Sequence, residues 1–243
     1  MKVTAVLFDM GGTLLSYENR EKIGNAFLTA MSDLGLDVSN PQLAEARKQA
    51  STEVEKRFSA ISSFVHRDLF RERVIRTAEL MGVTASKEVL ERFDANQREA
   101  VIEHLCPMTG VHEMLGELRS RGIYLAVVSN ADDDFMQPVL ARNGLTDLLD
   151  DWTSSEEAKS CKPDNLIFEY SLAKAKRAAS EVLFVGDSAQ HDIAGARNAG
   201  MRGVLISEPN VVAPLSGGLS AVEPDWHIRH LMELVEIVDS LNR

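Results

Sequence analysis

Four short apolar runs rich in β-branched residues constrain this chain most: VTAVLF (residues 3–8), IYLAVVS (123–129), EVLFVG (181–186) and GVLIS (203–207). Each has the length of a buried strand, and each is too evenly apolar to leave one face in water. Stretches with helical spacing lie between them, at 109–121 and 137–144 around the second run and at 165–176 and 192–200 around the third. Strands alternating with helices predict right-handed crossovers and a parallel sheet covered on both faces. The expected fold is α/β, a doubly wound, Rossmann-like core.

Residues 17–105 break that rhythm. Their apolar residues recur at helical spacing with no strand-like run, and Pro41, Gly35 and Gly82 mark helix starts and ends. The chain therefore divides into a core of residues 1–16 and 107–243 and an all-helical insert of about four helices over 17–106. An insert leaving after the first strand sits over the carboxyl ends of the strands, where open α/β sheets bind ligands, and makes a natural lid. The stretch from Glu208 to about Val222 is rich in Pro, Gly and Ser and reads as a long loop before a helix at 229–242.

With 26 Lys plus Arg against 37 Asp plus Glu, the formal net charge of −11 opposes attraction to nucleic acid or anionic lipid. Cys106 and Cys161 form no CxxC pair, so neither a disulfide framework nor a thiolate metal site is expected, and both read as reduced, buried thiols. No run reaches the roughly 18 apolar residues of a membrane span, and the N-terminus turns acidic too soon for a signal peptide. The cytoplasm is the expected compartment, with monomer and homodimer both open.

Four positions fall at the carboxyl ends of core elements: Asp9, the pair Ser129-Asn130, Lys162 in SCKPDN, and Asp187 with Asp192 in GDSAQHD. Any one alone is weak, because Asp and Ser also start helices and close turns. Together they form a site. Asp9 at a strand tip is placed as a carboxylate nucleophile that splits a displacement into two steps. Asp9 and Asp187 repel unless a cation joins them, and an all-oxygen site of this kind suits magnesium with a substrate phosphate. Ser129 and the amides of residues 130 and 131 donate to phosphoryl oxygens, and Lys162 adds fixed positive charge. Gly11 and Gly12 let the backbone turn sharply and approach an anion.

Motif by motif the chain resembles the haloacid dehalogenase-like hydrolase superfamily: DxxGT at 9–13, the strand with SN at 123–130, KPD at 162–164 and GDxxxxDxxGAxxAG at 186–200. The insert looks like that superfamily's first type of cap domain. The resemblance implies that the carbonyl of Gly11 is a metal ligand beside Asp9 and Asp187. It also implies that Asp192 orients Lys162 or a water at the cation; an ordinary first-turn acid is the alternative reading.

Phosphatases of this superfamily usually read DxDGT, and their second Asp handles the proton of the leaving oxygen and of the attacking water. Here that position is Gly11. General acid–base help is typically worth 10²–10⁴-fold, so its loss is serious without removing nucleophile or metal. One reading is a magnesium-dependent phosphatase of a small phosphorylated metabolite, with a substitute acid such as His66 or Arg67 from SSFVHRDLF or with a preference for good leaving groups; His66 is expected to titrate near neutrality. Another is a dehalogenase, since halide leaves without a proton. The 2-haloacid dehalogenases, however, carry Tyr at position 11, work without metal and replace the acid that Asp187 retains. A third is a non-catalytic binding or regulatory member, which the retained Asp9, Lys162 and Asp187 oppose. A phosphonate-cleaving reading needs a Schiff-base lysine in the insert, and Lys22, Lys48 and Lys56 lie in no suggestive context. Substrate choice is expected from the segments around Tyr17 to Arg20 and Phe64 to Arg67.

Overall fold

A computed structural model describes residues 2–207 and 222–243, so the loop expected from Glu208 onward lies outside the described residues except for Val222. The chain runs β1 (Ala5–Phe8), β2 (Leu15–Ser16), α1 (Arg20–Asp33), α2 (Pro41–Phe58), α3 (His66–Leu80), α4 (Lys87–His104) and β3 (Cys106–Pro107). It continues through α5 (Val111–Ser120), β4 (Tyr124–Ser129), α6 (Asp133–Arg142), β5 (Asp151–Ser154), α7 (Ser155–Ala158) and α8 (Asn165–Ala175). Last come β6 (Val182–Gly186), α9 (Gly195–Asn198), β7 (Arg202–Ile206), β8 (Trp226–Ile228) and α10 (Glu233–Asn242).

Six strands form one parallel sheet in the order β5-β4-β1-β6-β7-β8. The four apolar runs are β1, β4, β6 and β7. Two-residue periodicity explains why those runs had to be apolar throughout. Val6, Phe8, Leu125 and Val127 face one layer with Met114, Leu115 and Leu118 of α5 and Leu234 and Val238 of α10. Ala5, Leu7, Ala126 and Val128 face the other, with Ile167 and Phe168 of α8. The strands β5 (DWTS) and β8 (WHI) were not expected: they are short edge strands, and Asp151, Trp152 and Trp226 keep partial exposure. The helix expected over 192–200 is instead a π-helical turn, Ala189–Ala194, followed by α9. Cys161 is buried as expected, whereas Cys106 is only half-buried.

Between β2 and β3, which pair antiparallel, the chain forms the four expected helices. They bury their own cluster of Phe27, Met31, Leu43, Val74 and Phe93, with Val54, Phe58 and Leu69 in a second. Pro41 opens α2, where the side chain of Asn40 accepts from the amide of Gln42 at 2.9 Å.

The N-terminus of α3 is capped from outside its own segment. Val65 precedes the helix and offers no capping side chain, so Asp132, in the loop after β4, takes over. Its two oxygens accept from the amides of His66 at 2.6 Å and Arg67 at 2.7 Å. A carboxylate there meets both orphan N–H groups and the positive end of the helix dipole. Asp132 is 3% exposed, so water cannot substitute for it. Asp132→Ala is expected to destabilise the fold by about 1–2 kcal/mol, read as a lowered urea midpoint. An unchanged midpoint would show that the bridge carries no stability.

Candidate functional site

The sheet changes winding direction on either side of β1, so a crevice opens at the carboxyl end of that central strand. Asp9 directly follows β1, its amide held by the carbonyl of Val185 at 2.8 Å. Ser129 ends β4 on one side, and Asp187 follows β6 on the other. Lys162 arrives from the loop before α8. Asn130 holds that loop in place, its Oδ1 accepting from the Lys162 amide at 2.7 Å and its Nδ2 donating to the Lys162 carbonyl at 3.0 Å. The side chain of Asn130 is thus committed to positioning Lys162, a role separate from the phosphate contact expected of its backbone amide. The amide of Ala131 donates to Ser155 Oγ at 3.1 Å, so it is not the free phosphate donor that the sequence suggested.

Lys162 Nζ donates to Asp9 Oδ1 at 2.6 Å and to Asp192 Oδ1 at 2.7 Å, and the lysine is 4% exposed. Burial alone would push its pKa down, but Asp192 and Asp9 outweigh that and hold it above the usual lysine range. The other oxygen of Asp192 accepts from the Ser188 amide at 2.9 Å, so Asp192 is fully occupied in orienting Lys162. Asp187 has no lysine or arginine partner among the described residues.

Asp9, Asp187 and Asp192 each bring a carboxylate oxygen within 4.8 Å of the others, against the single ammonium of Lys162. Burial, followed by the charges of Asp9 and Asp192, drives the Asp187 carboxyl up to about 8. Burial also raises Asp9, with Lys162 opposing. The donor set is all oxygen and short of positive charge. It fits a hard divalent cation, with Asp187 and the Asp9 oxygen not bonded to Lys162 available to face it, while both oxygens of Asp192 already accept hydrogen bonds.

The turn after β1 has no room for larger residues. Gly12 has φ +82°, and a Cβ on it would fall inside the Asp187 carboxylate, 2.7 Å from Cγ. A Cβ on Gly11 would fall onto the hydroxyl of Tyr17, 2.8 Å from its Cζ. The ring of Tyr17 lies over this turn, and burial together with Asp9, Asp187 and Asp192 holds its pKa well above the usual phenol value. The sequence singled out Tyr17 only as a contributor to substrate choice. No local periodicity signals that a residue six positions on folds back over Gly11.

A cavity of about 500 Å³ joins this floor to the helices above it. Asp9, Ser129, Lys162 and Asp187 line its base, and Arg20, Phe70, Arg73, Phe93 and Arg98 line its walls. His66 and Arg67 also border it. His66 is buried rather than solvated, and burial, aided by Lys162 and Arg73, lowers its pKa to about 4. It is therefore neutral at pH 7, not poised near neutrality as expected, and its Nε2 has no hydrogen-bond partner among the described residues. Arg67 stands half-exposed at the rim, 3.8 Å from Asp134. His191, which sequence reasoning passed over, also faces the cavity. Lys22, Lys48 and Lys56 are exposed and do not line it.

A protein-family model described as haloacid dehalogenase-like hydrolase matches residues 3–200. The ribulose-1,5-bisphosphate 5-phosphatase of Halopiger xanaduensis is 30% identical over 239 residues, covering 97% of this chain and 99% of that protein. Among solved structures, the HAD-hydrolase YfnB of Bacillus subtilis, bound to magnesium, superimposes with a TM-score of 0.76 at 19% identity, covering 98% and 100% of the two chains. The L-2-haloacid dehalogenase of Xanthobacter autotrophicus gives 0.72 at 22% identity, covering 98% and 99%. At these identities the two structures speak to the fold alone.

The charge cluster has a measurable signature in chelator-treated protein. Folded Asp187 holds its proton up to about pH 8, whereas the unfolded carboxyl releases it near pH ~4. Stability is therefore full below pH ~4 and falls as pH rises through about 8. His66 acts oppositely, but only between its unfolded value of about 6.5 and about 4. From about pH 6.5 to 8.5 the urea midpoint should fall in the parent and stay flatter in Asp187→Asn. Equal slopes would remove the carboxylate cluster as the cause.

Proposed function

The chain belongs to the haloacid dehalogenase-like hydrolases, and on that footing we propose that it is a magnesium-dependent phosphatase acting on a small phosphorylated metabolite through an aspartyl-phosphate. The observation that carries this reading is the excess of buried carboxylate around Lys162, with Asp187 retained and without a lysine or arginine ion pair among the described residues. A halide displacement needs no such oxygen set. A dianionic phosphoryl group approaching Asp9 needs the charge that the set attracts. The similarity to a sugar-bisphosphate phosphatase over nearly the whole of both chains supports the same class.

In this reading residues 17–106 are a cap domain over the core. Asp9, the Gly11 carbonyl and Asp187 would hold a magnesium ion, which would supply positive charge against the repulsion between nucleophile and phosphoryl group. Lys162 and Ser129 hold the phosphoryl oxygens. Asp9 attacks phosphorus, and the bond to the leaving oxygen breaks with its electron pair on that oxygen. Water then attacks the same phosphorus and frees Asp9. Asp192 keeps Lys162 aimed at the phosphoryl group throughout. Arg20, Arg73 and Arg98, interleaved with Phe70 and Phe93, suit a substrate whose remaining part is anionic or polar with an apolar stretch.

The test is a screen of phosphorylated metabolites and of 2-haloacids, each with magnesium and with chelator. Phosphate release should require magnesium, and Asp9→Asn should lower kcat by about 10³-fold or more. Lys162→Ala should cost about 10²-fold or more on the same substrate. Metal-independent halide release, with no phosphate release, would replace this reading by the dehalogenase one.

A further inference from the structure

Gly11 removes the side chain on which a phosphatase of this family would rely, yet the space that side chain would occupy is not empty. The Tyr17 hydroxyl lies where a residue-11 Cβ would project, and its ring passes within 3.2 Å of a Cβ on Gly12. Position 17 is fixed by more than the ring's own packing. It directly follows β2, whose pairing with β3 closes the base of the helical segment, and its carbonyl accepts from the Arg20 amide at 3.0 Å. The ring also packs against the main core cluster. Tyr17 borders the cavity together with Asp9, Gly11 and Asp187. Glycine at 11 and tyrosine at 17 are thus a matched pair, and any larger residue at 11 collides with the phenol.

We propose that the Tyr17 hydroxyl replaces the missing side chain of position 11 and donates a hydrogen bond to the leaving oxygen of the substrate. The inference rests on the phosphatase reading. As Asp9 bonds to phosphorus, the bond from phosphorus to the leaving oxygen breaks and its electron pair stays on that oxygen. The phenol holds the resulting alkoxide by a hydrogen bond and keeps its own proton. A cavity water gives the alkoxide its proton, and the hydroxide so formed attacks the aspartyl-phosphate at phosphorus, regenerating Asp9. A donor already in place where negative charge develops needs no reorganisation at the moment of reaction. Its benefit grows as the leaving group becomes poorer.

The test compares the parent with Tyr17→Phe on a series of para-substituted phenyl phosphates in the presence of magnesium. Tyr17→Phe keeps the ring and removes only the donor. It should lower kcat by about 10²-fold on unsubstituted phenyl phosphate while changing turnover of para-nitrophenyl phosphate little. An equal loss across the series, or no loss, overturns the proposal. A second arm needs no turnover: Gly11→Ala should lower Tm in the parent and lower it less in a Tyr17→Ser background, as coupled neighbours do. Equal losses in both backgrounds would show that Tyr17 does not hold that volume, and the proposal falls. If no probe releases phosphate, the phosphatase reading fails and takes the leaving-oxygen role with it, while the volume measurement still stands or falls by itself.

Discussion

Lys162, buried and shared between Asp9 and Asp192, is the interaction on which the rest of the site depends. A lone ammonium in that position would lose its proton, and two lone carboxylates would take one up. Between the two carboxylates the Lys162 ammonium keeps its proton in a place where water barely reaches. Removing the lysine would strand two buried acids, a change of the kind that costs roughly 3–5 kcal/mol. That constraint explains the surrounding structure. Asn130 grips the Lys162 backbone on both sides, and Ser188 occupies the second oxygen of Asp192. The sheet brings Asp9 and Asp187 to neighbouring strand ends from positions 178 residues apart, since 187 − 9 = 178. Asp187 then faces the cavity with no lysine or arginine ion pair among the described residues, in a cluster of carboxylate oxygens that could hold a cation.

The fold was largely legible because a buried parallel strand needs apolar residues on both faces, and β1, β4, β6 and β7 could hardly be anything else. The edge strands β5 and β8 escaped because an edge asks for less: DWTS and WHI bury only part of their side chains and carry polar residues. The same logic divides the site. Asp9, Ser129, Lys162, Asp187 and Asp192 follow apolar runs or sit in short polar motifs, so their positions could be read in order along the chain. The commitments of their neighbours could not. That Asn130 serves Lys162, that Ser155 takes the Ala131 amide and that Asp132 caps α3 are all contacts across more than twenty residues of sequence. His66 shows the limit most clearly. In sequence it is a polar residue at a helix start, and in the fold it is buried and neutral beside the cavity.

Gly11 has a similar history. Considered alone it is a vacancy in a two-acid motif, because a single position says nothing of what packs over it. In the folded chain it is the concession that admits Tyr17. The helical segment starts three residues after that tyrosine, so the turn after β1, the phenol and the first wall of the cavity are one continuous piece of chain.

In the proposed reaction Asp9 attacks phosphorus and the covalent intermediate is cleaved at phosphorus. The most direct measurement is turnover in heavy-oxygen water, followed by mass spectrometry of the released product and of the peptide containing Asp9. Heavy oxygen is expected in the phosphate and none in Asp9, since water attacks the phosphoryl group and leaves both carboxylate oxygens in place. Heavy oxygen in the Asp9 carboxylate would mean that water had attacked the acyl carbon of an ester to carbon, as in dehalogenation, and would contradict the account.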